Sequence, residues 1–338
     1  MNTEMSPTLL REISILDIEG VMVGHAQNTD AGTGCSVLIC ALGACAGVDV
    51  RGGAPATRET DLLNPVNMIE RIHAVILSGG SAFGLNAAAG VMRYLEERGI
   101  GFGITTVGGR LSHVPIVCGA SLFDLAVGDP TVRPDDAMGY EACANAWSSS
   151  KMLQGNIGAG TGASVGKLFG MDRAMKCGFG AYGLEAGGLK VASMVAVNAL
   201  GDVIDPDTGV ALAGLLDESR TKIIDTEQAM CELAINAKSG LLSSAGSNTT
   251  IGVVVTNGKM TKAQATKVAQ AAHNGLARSL RPAHTMYDGD TVFALSAGNV
   301  EADVNVIGIL AAKTMSRAIR NAALHAESAY GLVAEVRG

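Results

Sequence analysis

The chain has 338 residues, of which 48% are hydrophobic and 17% charged, so it can bury a large core and does not have the composition of a disordered protein. Its formal net charge is −7 and it has no cluster of lysine and arginine, which argues against nucleic acid as a partner. Only 4% of the residues are aromatic, so Ala, Val, Ile, Leu and Met must fill most of the core.

The N-terminal end of the chain gives no sign of export or of a membrane span. Residues 1–20 have no uninterrupted apolar run, so we predict no signal peptide. The uncharged run from Ala74 to Met92 has a Ser-Gly-Gly-Ser sequence in its middle, which indicates strand, turn and helix. Seven cysteines without C-x-x-C spacing favour buried free thiols in a reducing cytoplasm over a zinc site or a disulfide framework.

The first two thirds of the chain alternate between strands and helices. We expect Ser81 to be the N-cap of the first helix and Gly99 to end it. A Gly-rich segment covers residues 155–166. The predicted strands are 36–40, 46–50, 73–77, 189–198 and 203–205, and the predicted helices are 81–98, 136–147 and 225–238.

The last third of the chain begins with a stretch of small and polar residues, 239–247, which is typical of an exposed loop. A strand at 250–256, an amphipathic helix at 261–278, a strand at 291–297 and a helix at 302–324 follow it. The last 90 residues are therefore predicted to form strand, helix, strand and helix behind a flexible linker.

Glycine is the outlier in the composition, with 44 residues. Many lie in pairs at the ends of apolar runs, such as Gly79-Gly80 and Gly187-Gly188. This placement predicts tight turns and close backbone approach in an α/β protein. Gly158–Ala163 and Gly178–Gly183 fit a dinucleotide-binding fingerprint only loosely, because neither clearly follows a first strand and opens a helix.

Asn248-Thr249-Thr250 stands at the junction of the predicted loop and a strand. A threonine hydroxyl needs a base within reach, and an α-amino group, with a pKa of about 7.7–8, is one at neutral pH. Thr249 would become a chain start by attacking the carbonyl of Asn248, which forms an ester that water opens. The junction alone is usually just the start of a strand.

Asp288-Gly-Asp290 lies downstream, just before the next strand. Its two carboxylates are placed i, i+2 and can orient a new ammonium and hydroxyl group. Alone, this motif is usually a surface turn and occasionally a cation site. The six histidines have no metal-ligand spacing, and His284 is notable because it lies close to Asp288 in the sequence. We predict no metal and no cofactor.

At these residues the chain resembles the self-processing peptidases of family S58, which include L-aminopeptidase/D-esterase, the β-aminopeptidases, a pantetheine-type hydrolase and the nylon-oligomer hydrolases. The matching motifs are Asn248-Thr-Thr and His284-Thr-x-x-Asp-Gly-Asp-Thr291, and the members that use threonine are the more similar ones. Residues 47–53, 77–84 and 158–163 also resemble family segments, so the likeness extends over most of the chain.

This resemblance implies an α/β fold of four αββα layers, of the N-terminal-nucleophile type with the connectivity of the aminopeptidases and ornithine acetyltransferases. It also implies a large subunit, 1–248, and a small subunit, 249–338, often assembled as a tetramer of such pairs. The site residues carried over are Thr249 as nucleophile, Asp288 and Asp290 beside its amine and hydroxyl, Asn198 as an amide at the oxyanion, and Lys167 near the nucleophile. For Asn198 and Lys167, a turn residue and a solvated charge are nearly as good interpretations from the sequence alone.

Two positions depart from the family pattern. Phe123 stands where relatives have a tyrosine near the oxyanion, and Asp288 stands where serine-type members have serine, which questions a β-peptide specificity. Three functions stay open: a self-activated amide hydrolase acting as aminopeptidase or nylon-oligomer-type endo-amidase, an acyltransferase with the same threonine, and a binding protein that never cleaves. The expected partners are small peptides or amides, without nucleic acid or membrane.

Overall fold

The computed structural model describes residues 10–235 and 248–336, so the predicted loop 239–247 and the end of the helix predicted at 225–238 lie outside the described residues. The strands are β1 Arg11–Ile13, β2 Val21–Asn28, β3 Thr33–Val50, β4 Thr57–Arg58, β5 Ile72–Ser78, β6 Phe102–Thr105, β7 Leu111–Val114, β8 Val117–Ser121, β9 Ser164–Val165, β10 Met175–Lys176, β11 Phe179–Ala186, β12 Leu189–Asn198, β13 Asp202–Ile204, β14 Ala211–Ala213, β15 Leu215–Leu216, β16 Ile223–Ile224, β17 Thr249–Gly258, β18 Leu280–Arg281 and β19 Thr291–Val300. The helices are α1 Ala87–Glu96, α2 Asp136–Ser148, α3 Thr226–Ile235, α4 Lys262–Ser279 and α5 Val304–Leu324.

Strand β3 belongs to two sheets. Its first half pairs with β2 and β5, and its second half pairs with β19 in the sheet of order β1-β11-β12-β17-β19-β3. The sequence predicted two strands here, at 36–40 and 46–50, whereas the structure joins them into one. The register with β5 shifts between Ile39 and Ala44, where Gly43 has a φ of 77°, so the pattern of alternation is interrupted although the strand continues.

Three apolar clusters separate four layers. Neighbouring residues of a strand point to opposite faces, so Val254 packs toward α4 and α5 while Val253 packs between the two sheets. Val37 lies on the outer face of the second sheet and packs with Val91 of α1 and Cys143 of α2. The order of layers is therefore α4/α5, sheet, sheet, α1/α2, which confirms the predicted αββα class.

Glycines allow helices to lie directly on the sheets. A Cβ atom at Gly47 would stand 2.2 Å from the backbone nitrogen of Thr266 in α4, and one at Gly180 would stand 2.0 Å from the carbonyl oxygen of Ala318 in α5. No side chain fits into either space. The close backbone approach expected from the glycine content is confirmed at these two positions.

The predicted first helix, 81–98, is the least accurate element prediction. Residues Ser81–Asn86 form a 3-10 helix, and the α-helix begins only at Ala87. Ser81 is not an N-cap, because that position belongs to Gly80, and Ser81 itself has a φ of 54°. In contrast, Thr261 caps α4 with a capping box that Gln264 completes.

All seven cysteines are free, and five of them are buried, whereas Cys45 is half-buried and Cys231 is exposed. Among the helices that the structure describes, none combines the length and the apolar character needed to cross a membrane.

Candidate active site

Thr249 is the first residue of β17, a central strand of the larger sheet. It pairs in register with Asn198, the last residue of β12, and β17 runs parallel to β19 from Ile251 and Thr291 onward. The three strand ends therefore meet at one edge of the sheet. Only 4% of Thr249 is exposed, and its hydroxyl donates a hydrogen bond to the carbonyl oxygen of Asn248.

The carbonyl oxygen of Asn248 also accepts a hydrogen bond from the backbone N–H of Gly289, at 3.0 Å. Residue 289 must be glycine, because a Cβ atom there would stand 2.6 Å from the Thr249 hydroxyl oxygen and 2.7 Å from the carbonyl oxygen of Ala54. The carbonyl oxygen of the bond between Asn248 and Thr249 thus accepts from both the Thr249 hydroxyl and a backbone donor. The sequence could not have identified this donor, because every residue but proline has an N–H group.

Asp290 is buried and receives three hydrogen bonds. Its Oδ1 accepts from the backbone N–H of Thr250 at 2.8 Å, and its Oδ2 accepts from the backbone N–H and the ring Nδ1 of His284, at 3.0 and 2.8 Å. The sequence analysis noted His284 because it lies close to Asp288 in the chain. In the structure, His284 bonds Asp290 instead.

Asp288 is buried beside Asp290. Its Oδ1 accepts from the backbone N–H of Leu200 at 3.3 Å, and its Oδ2 accepts from the backbone N–H and hydroxyl of Thr285, at 2.9 and 2.5 Å. Burial raises the pKa of Asp288, and the charge of Asp290 raises it further. Among the described residues, neither carboxylate bonds the Thr249 hydroxyl in the uncut chain; Asp290 instead bonds the residue after it.

The Asn198 side chain is oriented by two loops. Its Oδ1 accepts from the backbone N–H of Ser164 at 3.0 Å, and its Nδ2 donates to the carbonyl oxygen of Phe123 at 2.9 Å. The Phe123 backbone carbonyl thus contacts the Asn198 side chain. Of the two interpretations of Asn198, the position opposite Thr249 favours the site residue over the turn residue.

Lys167 lies in the same buried corner. Its Nζ donates to the carbonyl oxygen of Asn198 at 3.0 Å. Burial lowers the pKa of Lys167 to about 7, although Asp288 and Asp124 oppose that shift. A lysine with such a pKa exchanges protons near neutrality, which a solvated lysine does not.

Lys176 is a second buried lysine that the sequence analysis did not identify. Its Nζ donates to the carbonyl oxygens of Gly160 and Ala163, each at 3.0 Å, and to that of Cys177. Burial lowers its pKa to about 7. Two of these bonds hold the Gly-rich segment, residues 155–166, in which Ser164 orients Asn198. Its position in the apolar run Met175-Lys176-Cys177 was the available signal.

Within residues 10–235 and 248–336, no three side chains of His, Cys, Asp and Glu are grouped as a metal site requires. The groups that could act on a substrate here are one hydroxyl, one amide, one lysine and two carboxylates.

The model of peptidase family S58 matches residues 14–336 of the chain. The chain is 42% identical to an uncharacterised aminopeptidase of Mycobacterium leprae, over 94% of this chain and 92% of that protein. It is 30% identical to a 6-aminohexanoate-oligomer endohydrolase of Kocuria sp., over 93% of this chain and 86% of that protein.

The fold is similar to that of a solved structure, the L-aminopeptidase D-Ala-esterase/amidase of Ochrobactrum anthropi, whose description assigns it to a variant of the Ntn hydrolase fold. The TM-score is 0.69 over 96% of this chain and 91% of that chain. Sequence identity is 17%, so this likeness concerns the fold alone.

Proposed function

Because the chain belongs to peptidase family S58 and is a hydrolase of peptide or amide bonds, we propose that it cuts itself between Asn248 and Thr249 and then uses the freed Thr249 as its nucleophile. A binding protein that never cleaves any substrate is thereby set aside.

One observation carries the proposal of self-cleavage: the Asn248 carbonyl oxygen accepts hydrogen bonds from both the Thr249 hydroxyl and the Gly289 N–H. The hydroxyl belongs to the residue that would attack, and the N–H would stabilise the negative charge that develops on the carbonyl oxygen. Both groups are buried, so they meet no competing water.

The first reaction transfers an acyl group within the chain. The hydroxyl oxygen of Thr249 bonds to the carbonyl carbon of Asn248, the peptide C–N bond breaks, and the hydroxyl proton passes to the departing nitrogen. Water then hydrolyses the resulting ester, which leaves Asn248 as a carboxylate and Thr249 with a free amine and a free hydroxyl.

In the second reaction the same hydroxyl attacks the carbonyl carbon of a substrate amide, while the Thr249 amine takes the proton and delivers it to the leaving amine. Asn198 lies opposite Thr249 and would donate to the oxyanion, and Lys167 lies behind it. Asp288 and Asp290 would orient the new ammonium group once the chain is cut. Water releases the acyl group from the ester.

The substrate is a small peptide or a linear amide. The M. leprae relative favours an aminopeptidase, which removes N-terminal residues, and the 30% identity to an endohydrolase of aminohexanoate oligomers favours a second candidate, an endo-amidase. A panel of amino-acid p-nitroanilides, β-amino amides and aminohexanoate oligomers distinguishes them. Acyl transfer to an added amine in preference to water would identify an acyltransferase instead.

We place the enzyme in the cytoplasm as an oligomer, a tetramer of cut pairs. Five buried free thiols suit a reducing compartment.

Denaturing mass spectrometry and N-terminal sequencing test the self-cleavage. The 34.4 kDa chain should split into pieces of about 25 and about 9 kDa, and the smaller one should begin at Thr249. Thr249→Ala should abolish both the cut and amide hydrolysis, whereas Thr249→Ser should retain both at lower rates, because serine keeps the hydroxyl.

Thr250→Val is the matched control. The Thr250 hydroxyl is buried and has no hydrogen-bond partner within the part of the chain that the structure describes, so valine of the same shape should cut and hydrolyse normally. An active protein that consists only of the intact 34.4 kDa chain would overturn the proposal.

A further inference from the structure

We propose that His284 is a positioning residue for hydrolysis: its ring holds the Asp290 carboxylate in the orientation that Thr249 requires. This inference rests on the proposed function, because it takes Asp290 to act on Thr249.

The first support is the set of bonds around Asp290. Its Oδ1 accepts from the N–H of Thr250, and its Oδ2 accepts from two donors of His284, the backbone N–H at 3.0 Å and Nδ1 at 2.8 Å. Asp290 is 1% exposed, so in the folded protein its oxygens depend on these donors and not on bulk water. The direction of this carboxylate therefore depends on His284.

The second support is the tautomer. Nδ1 faces a carboxylate oxygen, so it carries the proton in the neutral ring, and Nε2 is left as an acceptor. That Nε2 is buried and has no hydrogen-bond partner among the described residues. A buried ring nitrogen without a partner costs stability. The hydrogen bond from Nδ1 to Asp290 is therefore the polar contact that holds the ring in place.

A second histidine packs against the ring. His273 meets His284 edge to face, with ring centroids 4.7 Å apart and planes at 75°. Nε2 of His273 bonds the carbonyl oxygen of Asp49 at 3.0 Å and lies 3.7 Å from its carboxylate, which Arg51 also binds. Burial lowers the pKa of His273 to about 4, so His273 is neutral near pH 7. It therefore contacts the His284 ring as a packing partner and not as a charge.

The third support is the backbone of His284, which has a φ of 60°. Few residues with a Cβ adopt this region, and Asn and His are among those that do so more often. The loop thus keeps a sparsely populated conformation in which both donors of one residue reach the same oxygen. Such a cost is typical of positions that orient a functional group.

Three substitutions of His284 separate the role of the ring from that of the loop, and two of them tolerate a φ of 60°. Glycine adopts a φ of 60° freely but has no side-chain donor. Asparagine also tolerates the conformation, and its amide nitrogen takes the place of Nδ1. Glutamine is the third variant. Its amide nitrogen takes the place of Nε2, which has no hydrogen-bond partner among the described residues, so it leaves Asp290 without a side-chain donor.

We expect His284→Asn to stay within about 5-fold of the wild-type kcat/KM, whereas His284→Gly and His284→Gln lose about 10- to 100-fold, since a displacement of about 1 Å can cost about 100-fold. The acidic limb of the pH profile, which follows protonation of the Thr249 amine, should move to lower pH in the glycine variant, because a misdirected carboxylate stabilises the ammonium form less. The asparagine variant should restore it.

A purely structural role would lower the melting temperature and the rate together without moving the acidic limb. Equal kcat/KM values for the asparagine and glycine variants, or an unchanged limb, would overturn the inference. N-terminal sequencing of each variant keeps this result separate from the proposed function: if the wild-type protein hydrolyses amides but does not begin a chain at Thr249, self-cleavage fails, whichever way the His284 variants behave.

Discussion

At the scale of single residues, this site is a set of charges removed from water. Lys167, Asp288 and Asp290 are each at most 2% exposed, yet every one of them contacts a group within one or two residues of Thr249 or its partner Asn198. Burial makes the ionisation of such groups depend strongly on neighbouring charges, because charges interact more strongly in the protein interior than in water. The result is a site in which one substitution changes several hydrogen bonds.

Asp290→Asn tests this sensitivity. An asparagine oxygen can still accept from the Thr250 N–H, but its amide NH2 would then face the two donors of His284. We expect kcat/KM of the cut enzyme to fall about 100-fold while most of the protein still folds. Steady-state kinetics and thermal unfolding measure the two effects.

Asp303→Asn is the matched control, because Asp303 caps α5 at the surface and asparagine also caps helices well. If Asp290→Asn were as active as this control, the carboxylate would have no role in hydrolysis.

The two sequence motifs predicted which residues lie at the candidate site better than they predicted which hydrogen bonds those residues make. Asn248, Thr249, Asp288 and Asp290 could be selected because unusual residue types recur at fixed spacing, and the structure brings them together. The Gly289 N–H could not be selected, since a backbone donor has no residue type. Lys176 was missed, although it lies in an apolar run, because most lysines in a sequence are solvated. Only the tertiary fold shows which lysine is buried.

At the scale of elements, the ends of strands β12, β17 and β19 determine where the candidate active site lies. Each strand is a largely continuous apolar run that is buried on both faces, so their existence and approximate bounds could be predicted from the sequence. The sharing of β3 between two sheets could not, because Gly43 interrupts its pattern and pairing partners far apart in sequence have no local signature. The four layers followed from the resemblance, not from the pattern.

Gly47→Ala tests the contact between helix α4 and strand β3. The new methyl group would stand 2.2 Å from the Thr266 nitrogen, so the helix must move away. We expect the free energy of unfolding to fall by about 1–3 kcal/mol, as for other overpacked interiors. Urea unfolding measures it.

Gly108→Ala is the comparison, because nothing lies within 4 Å of a Cβ at that position. Equal stabilities of the two alanine variants would contradict the close packing of α4 on β3.

At the scale of the whole molecule, buried ionisable groups link stability to pH. The folded protein releases protons from Lys167 and Lys176 at a pKa of about 7, whereas the unfolded chain keeps them to about 10.4. The unfolded state then binds more protons above pH 7, so stability rises with pH there. Buried thiols act in the opposite direction, since burial raises the pKa of all five buried cysteines, that of Cys40, Cys118 and Cys143 to about 12, while unfolded thiols ionise near about 8.5. Five such thiols outweigh the two lysines above that pH.

We therefore expect the free energy of unfolding to increase from pH 7 to about 8.5, by up to about 1.4 kcal/mol per pH unit for each lysine, and to decrease at higher pH. Urea unfolding of Thr249→Ala at several pH values measures this, since the uncut variant has no new amine to titrate. Lys176→Met in the same background should halve the slope. A flat profile between pH 7 and 8.5 would show that both lysines are solvated.

The order of strands in the larger sheet has a consequence for the product of the cut. Strands β17 and β19 follow residue 248 and lie side by side between β12 and β3, which precede it. Either piece alone would expose open strand edges that only the other piece covers. The proposed cut would thereby turn one translated chain into a heterodimer in strict one-to-one ratio, whose two members are already assembled when they form.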